Sequence, residues 1–200
     1  MRIGILGGTF NPIHNGHLLL GELVREKESL DTIIFLPTGN APHKANIAPS
    51  VMRYEMVSIA TEDNDNFVVL DIETNREGYS FTIDSIKIIE NMYPNAELFF
   101  IIGLDTLFTL QTWRCFDEIV KKTSFLVAPR MSYHDVDVAD IKLQTEYLEN
   151  EYDAHIKIVK TNLFDLSSTE VRYRIKNNLS TKYMIPEGVS KYIESKRLYK

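Results

Sequence analysis

The apolar positions of this chain fall into two alternating patterns. Short continuous blocks at 3–6, 32–36, 67–70, 98–102, 124–128 and 156–159, rich in Ile, Val, Leu and Phe, have the length of buried strands. The block at 98–102 is apolar without a break, as a central parallel strand requires when both of its faces are covered. Between the blocks, apolar residues recur every three or four positions. Helices are predicted from about 18 to 24, over 51–62 with Ser50 as N-cap, and over 82–92 ending before Pro94. Two short pieces follow around 105–110 and 116–121, then a solvent-facing helix over 137–150. Ser167 and Glu170 have capping-box spacing and open a helix to about Lys176. A last helix covers 187–197. Strands that alternate with helices in this way predict an α/β fold, a doubly wound parallel sheet, with a small C-terminal helical extension. Linkers are short, repeats are absent, and residues 1–200 are expected to form a single domain.

Composition adds limits. With 44% hydrophobic residues the chain can bury a proper core, and its net charge of −6 argues against a protein that coats nucleic acid. An acidic chain can still bind phosphate if its cations are concentrated locally. No apolar run approaches membrane-spanning length, Met1 and Arg2 lead straight into a strand without a signal-peptide layout, and Cys115 is the single cysteine. A reducing, cytoplasmic setting is expected, with no nucleic-acid or membrane partner; homo-oligomerisation is left open.

The chemistry is densest at residues 7–17, Gly-Gly-Thr-Phe-Asn-Pro-Ile-His-Asn-Gly-His, where a glycine turn leaves the first strand and two histidines open the next helix. His14 and His17, three apart, share one helix face. A helix N-terminus carries unpaired N–H groups and positive partial charge, so the junction suits a phosphate. The bland alternative is a glycine turn with two incidental histidines. Neither G-x-x-x-x-G-K-[ST] nor G-x-G-x-x-G occurs, which sets aside the P-loop and the standard dinucleotide fingerprint.

The run at 7–17, with Ser167-Ser168-Thr169-Glu170-Val171-Arg172 near the other end, resembles the nucleotidylyltransferase superfamily with its H-x-G-H signature. More narrowly the chain is similar to the bacterial nicotinate-nucleotide adenylyltransferases. That likeness rests on Pro42-His43-Lys44, on 76–84 (Arg-Glu-Gly-Tyr-Ser-Phe-Thr-Ile-Asp), on Gly103-Leu104-Asp105 with Trp113 beyond it, and on Tyr183-Met184-Ile185-Pro186. The family often has Asp where this chain has Asn11, Tyr where it has Phe81, and Thr where it has Ser85.

The resemblance implies transfer of the adenylyl group of ATP to nicotinate mononucleotide, giving deamido-NAD and pyrophosphate. The attacking phosphate is already an anion, so catalysis should be positioning plus charge stabilisation. His14 and His17 are the implied catalytic donors. Gly8, Thr9, Phe10, Gly16, Lys44, Gly103, Asp105, Ser167, Thr169 and Arg172 would bind ATP. Tyr79, Ser80, Phe81, Thr82 and Trp113 would bind the mononucleotide, Trp113 by stacking on the pyridinium ring. Mg²⁺ is expected on the ATP phosphates, with no protein metal ligands; His43, His134 and His155 lack metal-ligand spacing.

Plainer readings stand beside these. Lys44 is a loop lysine, Ser167 and Ser168 cap a helix, Asp105 caps the helix after it, and Trp113 fills the core. At the level of function, the alternatives are pantetheine-phosphate adenylyltransferase and a non-catalytic nucleotide-sensing module of the same fold.

Overall fold

The computed structural model describes residues 1–39, 47–129, 137–161 and 165–200. Six strands, β1 (Arg2–Gly8), β2 (Thr32–Pro37), β3 (Phe67–Val69), β4 (Glu97–Ile102), β5 (Ser124–Val127) and β6 (Ile156–Ile158), form one sheet in the order β3-β2-β1-β4-β5-β6. Every adjacent pair is parallel. The predicted doubly wound sheet is therefore present, with strand order 3-2-1-4-5-6 and its topological switch between β1 and β4.

The period of two along each strand sorts the core into two layers. Ile3, Ile5, Ile34, Leu36, Phe100, Ile102, Phe125 and Val127 face one side. They pack there with α3 (Thr82–Met92), α4 (Leu104–Leu107), α5 (Phe116–Ile119) and α6 (Val138–Tyr152) through residues such as Ile86, Leu107, Ile119 and Leu148. Leu6, Ile33, Phe35, Phe99, Ile101 and Leu126 face the other side. Their partners come from α1 (Asn15–Lys27), α2 (Ser50–Thr61), α7 (Ser168–Lys176) and α8 (Glu187–Lys196). The C-terminal extension is thus part of the second layer: Val189 and Ile193 of α8 are buried in it. Among the described residues no helix is long and apolar enough to cross a membrane.

Some boundaries differ from the sequence reading, each for a local reason. Gly7 and Gly8 still pair in the ladder, opposite Leu36 and Pro37, so the turn begins at Thr9 rather than at the glycines. Ser50 is the first residue of α2, not its cap; Pro49 holds the cap position and the Ser50 hydroxyl donates to the Thr74 carbonyl. Asp137 precedes α6 and caps it, its carboxylate accepting from the Ala139 N–H. The stretch after α4 tightens into a 3-10 turn at Leu110–Thr112.

Candidate active site

A cavity of about 880 Å³ opens beyond the carboxyl ends of the strands, at the upper end of the range usual for small-molecule sites, roughly 300–1,000 Å³. One wall is the loop after β1 together with α1 and the start of α7, and carries Gly8, Thr9, Phe10, Asn11, His17, Ser168, Thr169 and Arg172. The other carries Glu73, Ser80, Thr82, Gly103, Asp105 and Trp113.

The first wall is held from beneath by Arg53. In α2 the buried residues are Arg53, Met56, Val57, Ala60 and Thr61, so the arginine sits on the apolar face. Its side chain is 1% exposed. Nε donates to the Ala48 carbonyl at 3.0 Å, Nη1 to Thr9 at 2.6 Å and Nη2 to Gly39 at 2.8 Å. One guanidinium thus ties the loop after β1 to two points of the segment between β2 and α2. Burial lowers the Arg53 pKa, while Tyr199 and Glu73 act the other way. Gly39 approaches closely here: a Cβ would lie 2.1 Å from the Glu73 carbonyl oxygen.

Asn11 adds a second tie. Its Oδ1 accepts from the Ala48 N–H at 3.1 Å and from the Tyr199 hydroxyl at 2.8 Å, and its carbonyl accepts from Arg172 Nη1 at 2.8 Å. The neutral amide serves here as an acceptor for two donors. Phe10, with φ of 46°, holds a left-handed backbone while its ring is buried and meets His17 edge-on at 5.0 Å.

The two histidines stand side by side as their spacing implied. Their rings stack at 3.6 Å, 19° from parallel, and His17 Nδ1 accepts from the His14 N–H at 3.2 Å. They differ in access: His17 lines the cavity, whereas His14 is 2% exposed and lies behind it as the N-cap of α1. Gly16 does not face the cavity. A Cβ there would meet the His14 ring at 3.1 Å, so the glycine makes room for the imidazole. The N-terminus of α1 is also partly used within the fold, since the Asn15 N–H donates to the Met184 carbonyl at 2.8 Å and Asn15 Nδ2 donates to the Tyr183 carbonyl at 2.7 Å. The Tyr183-Met184 stretch therefore steadies the histidine helix.

At α7 the structure separates two adjacent serines. Ser167 is the N-cap, its hydroxyl accepting from the Glu170 N–H at 3.1 Å, and it does not line the cavity. Ser168 does, and its hydroxyl donates to the Pro12 carbonyl at 2.8 Å. The capping bond turns the Ser167 side chain along the helix. Arg172 reaches the cavity rim, held by the Asn11 carbonyl and by Thr169 Oγ1 at 3.2 Å.

On the opposite wall, Ser80 and Thr82 face the cavity but the Tyr79 and Phe81 side chains do not. Tyr79 is 63% exposed to solvent, and the Phe81 ring lies under the Arg114 guanidinium, 4.3 Å from it. The Ser80 hydroxyl is buried and has no hydrogen-bond partner among the described residues. Glu73, unmarked by the sequence reading, is buried beside it. Its carboxyl accepts from the Ser85 hydroxyl at 2.8 Å, and burial raises its pKa against the opposing effects of that bond, a Gly39 backbone bond and two arginines. Trp113 packs edge-on against Phe100 at 5.4 Å and also lines the cavity. Asp105 is exposed in the first turn of α4, where Gly103 takes the cap position, so its carboxylate is left for the cavity.

Lys44, with Pro42, His43 and His134, lies outside the described residues. Among those described, no group of three His, Cys, Asp or Glu is arranged to hold a metal ion.

The cytidylyltransferase-like family model matches residues 5–174. A curated relative from Desulfitobacterium hafniense, named "Probable nicotinate-nucleotide adenylyltransferase", is 39% identical over 201 residues, covering 100% of this chain and 96% of its own length. One of the same name from Moorella thermoacetica is 36% identical over 202 residues, covering 100% and 92%. Among solved structures, the Plasmodium falciparum nicotinic acid mononucleotide adenylyltransferase complexed with NaAD superposes with a TM-score of 0.79 at 18% identity, covering 99% of this chain and 97% of that one. That likeness shows a shared fold.

Two predictions follow from the buried charges. Arg53→Met leaves three loop carbonyls without their donor, and should destabilise the protein by about 3 kcal/mol. The check is a lower urea midpoint at unchanged m-value; an unchanged midpoint would show that the loops hold without the guanidinium. Glu73 binds its proton more tightly folded than unfolded, so its effect on stability is most favourable below its ordinary value of 4.5 and declines as pH rises through the raised one. Glu73→Gln should therefore gain stability relative to the parent as pH rises from below 4.5 toward neutrality. A stability difference that stays flat across that window counts against the raised carboxyl.

Proposed function

The chain belongs to the nicotinate-nucleotide adenylyltransferase family of cytidylyltransferase-like proteins, and from that premise we propose that it moves the adenylyl group of ATP onto nicotinate mononucleotide, in NAD biosynthesis. The observation that carries this reading is the two-walled cavity at the switch point. Phosphate-directed groups, His17 and Arg172 among them, stand on one side; the buried Ser80 hydroxyl, Thr82 and the Trp113 ring stand on the other.

In this reading, a phosphate oxygen of the mononucleotide attacks the α-phosphorus of ATP. The new P–O bond forms as the bond to the bridging oxygen of the β-phosphate breaks, and pyrophosphate leaves with the electron pair. No protein nucleophile is needed. His17 donates a hydrogen bond to the α-phosphate as charge accumulates, and the stacked His14 holds that ring in place from behind. Arg172 takes the β- and γ-phosphates, Gly8 lets the nucleotide lie close to the end of β1, backbone N–H groups of the Thr9–Phe10 turn approach the α-phosphate, and Asp105 accepts from the ribose hydroxyls. Lys44 is a further phosphate cation, and Thr169 helps through its bond to Arg172. Mg²⁺ carried by the ATP phosphates would supply charge neutralisation for the departing pyrophosphate; such an ion commonly keeps waters and needs few protein ligands.

The N-terminus of α3 opens beside Ser80 and Thr82. Its positive partial charge favours the nicotinate carboxylate over a neutral amide. Trp113 offers its face to either pyridinium ring. We read residues 1–200 as one nucleotidylyltransferase domain, acting in the reducing cytoplasm, where the exposed free thiol of Cys115 is compatible with its surroundings.

Pyrophosphate release from ATP, measured with nicotinate mononucleotide, nicotinamide mononucleotide and phosphopantetheine in turn, tests the assignment. Turnover should be strong with the first, weaker by orders of magnitude in kcat/KM with the second, and absent with the third. Equal efficiency with the two mononucleotides would overturn the deamido preference, and release with phosphopantetheine alone would overturn the acceptor class. His17→Ala should lower kcat roughly a hundredfold while the protein stays folded; near-parental turnover would remove His17 from the chemistry.

A further inference from the structure

The segment after α8 reaches back to the loop after β1 that forms one wall of the cavity. Arg197 and Tyr199 both have positive φ, 54° and 64°, a backbone region that residues with a Cβ rarely enter. The turn is closed by the Arg197 N–H donating to Glu194 at 3.2 Å and the Leu198 N–H donating to Ile193 at 3.0 Å. Its effect is to carry the Tyr199 hydroxyl to within 2.8 Å of Asn11 Oδ1.

The direction of that bond follows from Asn11's other partner. The Ala48 N–H can only donate, so the atom facing it is the amide oxygen. The Tyr199 hydroxyl, on the same oxygen, must then donate as well. Burial pushes the phenol above its usual range despite the neighbouring Arg172 and Arg53, so it remains an O–H donor at every working pH. Asn11 is in turn the residue whose carbonyl receives Arg172. Its neighbours Thr9 and Pro12 receive Arg53 and Ser168. A hydroxyl 188 positions along the chain therefore closes the last side of the loop that places Arg172 and His17.

We propose that Tyr199 is a positioning residue for the triphosphate: by fixing the Asn11 amide it holds the loop after β1 in register with Arg172. This inference rests on the adenylyltransferase reading. Tyr199 is far from the Ser80, Thr82 and Trp113 wall in the network of bonds, since every polar contact named for it leads to the loop after β1. Its loss should be felt by ATP and not by the mononucleotide.

Tyr199→Phe removes the donor and keeps the ring. It should raise the KM for ATP roughly fivefold, the usual scale for one hydrogen bond, with the KM for nicotinate mononucleotide and the thermal midpoint close to parental. Asn11→Ala, which leaves the tyrosine intact, should raise the ATP KM at least as much, and adding Tyr199→Phe to it should change nothing further. Asn11→Asp keeps an acceptor for both donors and should retain the Tyr199 dependence. An unchanged ATP KM in Tyr199→Phe overturns the proposal. So does an equal rise in both KM values with a lowered midpoint, or full additivity in the double variant. A parent protein that releases no pyrophosphate from the two substrates would instead overturn the functional reading on which the proposal stands, and that result is seen before any variant is made.

Discussion

Where the parallel ladders of the sheet end, the backbone carbonyls of the connecting loops lose their strand partners, and the Arg53 guanidinium supplies new ones. A buried carbonyl without a donor costs roughly 1–3 kcal/mol, and a buried cation without acceptors costs more. Bringing Thr9, Gly39 and Ala48 to one planar fork satisfies both needs at once. The rigid spread of the guanidinium N–H groups matters here; a lysine ammonium on a flexible stem would not hold three carbonyls in a fixed plane. The loop after β1 takes its place from this contact, and His17, Asn11 and the bond to Arg172 take theirs from the loop.

The same arrangement explains how an acidic chain comes to have a site for phosphates. The net charge is −6, yet the loop wall has one arginine beneath it and another at its rim, with the first turns of α3 and α7 opening nearby. In a partly dehydrated cavity these positive groups act at a lower effective dielectric than the carboxylates scattered over the surface. Of the acidic residues that do line the cavity, Glu73 is turned to Ser85 and made harder to ionise by burial, which softens its repulsion of an anionic ligand.

Much of this was legible in the sequence because periodicity reports burial. The six apolar blocks became the six strands, and residues alternate between the two core layers as a period of two requires. The site was legible where side-chain type and local spacing carry the information, as with His14 and His17. It was not legible where a neighbour one position away takes the role. Ser167 and Ser168 are indistinguishable by type, and only the capping bond shows which of them turns from the cavity. Arg53 leaves a readable signal, a charge in the apolar register with Met56, Val57 and Ala60. The Asn11–Tyr199 bond left none, since its partners lie at opposite ends of the chain and no local pattern encodes the pair. At Gly16 the close neighbour is the His14 ring, a contact that spacing in the sequence does not encode.

The geometry also sets how the two walls keep their distance. A reaction that aligns two anions without a covalent intermediate depends on placement, and small errors of alignment are expensive. Loops alone would be a poor gauge for that separation. The loop wall grows from the end of β1, while Trp113 packs edge-on against Phe100 of β4. β1 and β4 are adjacent and paired in register from Arg2 with Glu97 to Leu6 with Ile101. The span from the histidine face to the tryptophan ring is therefore carried by a parallel ladder at the centre of the sheet. The Arg53 and Asn11 contacts then have only to hold one loop against a fixed reference, which a handful of hydrogen bonds can do.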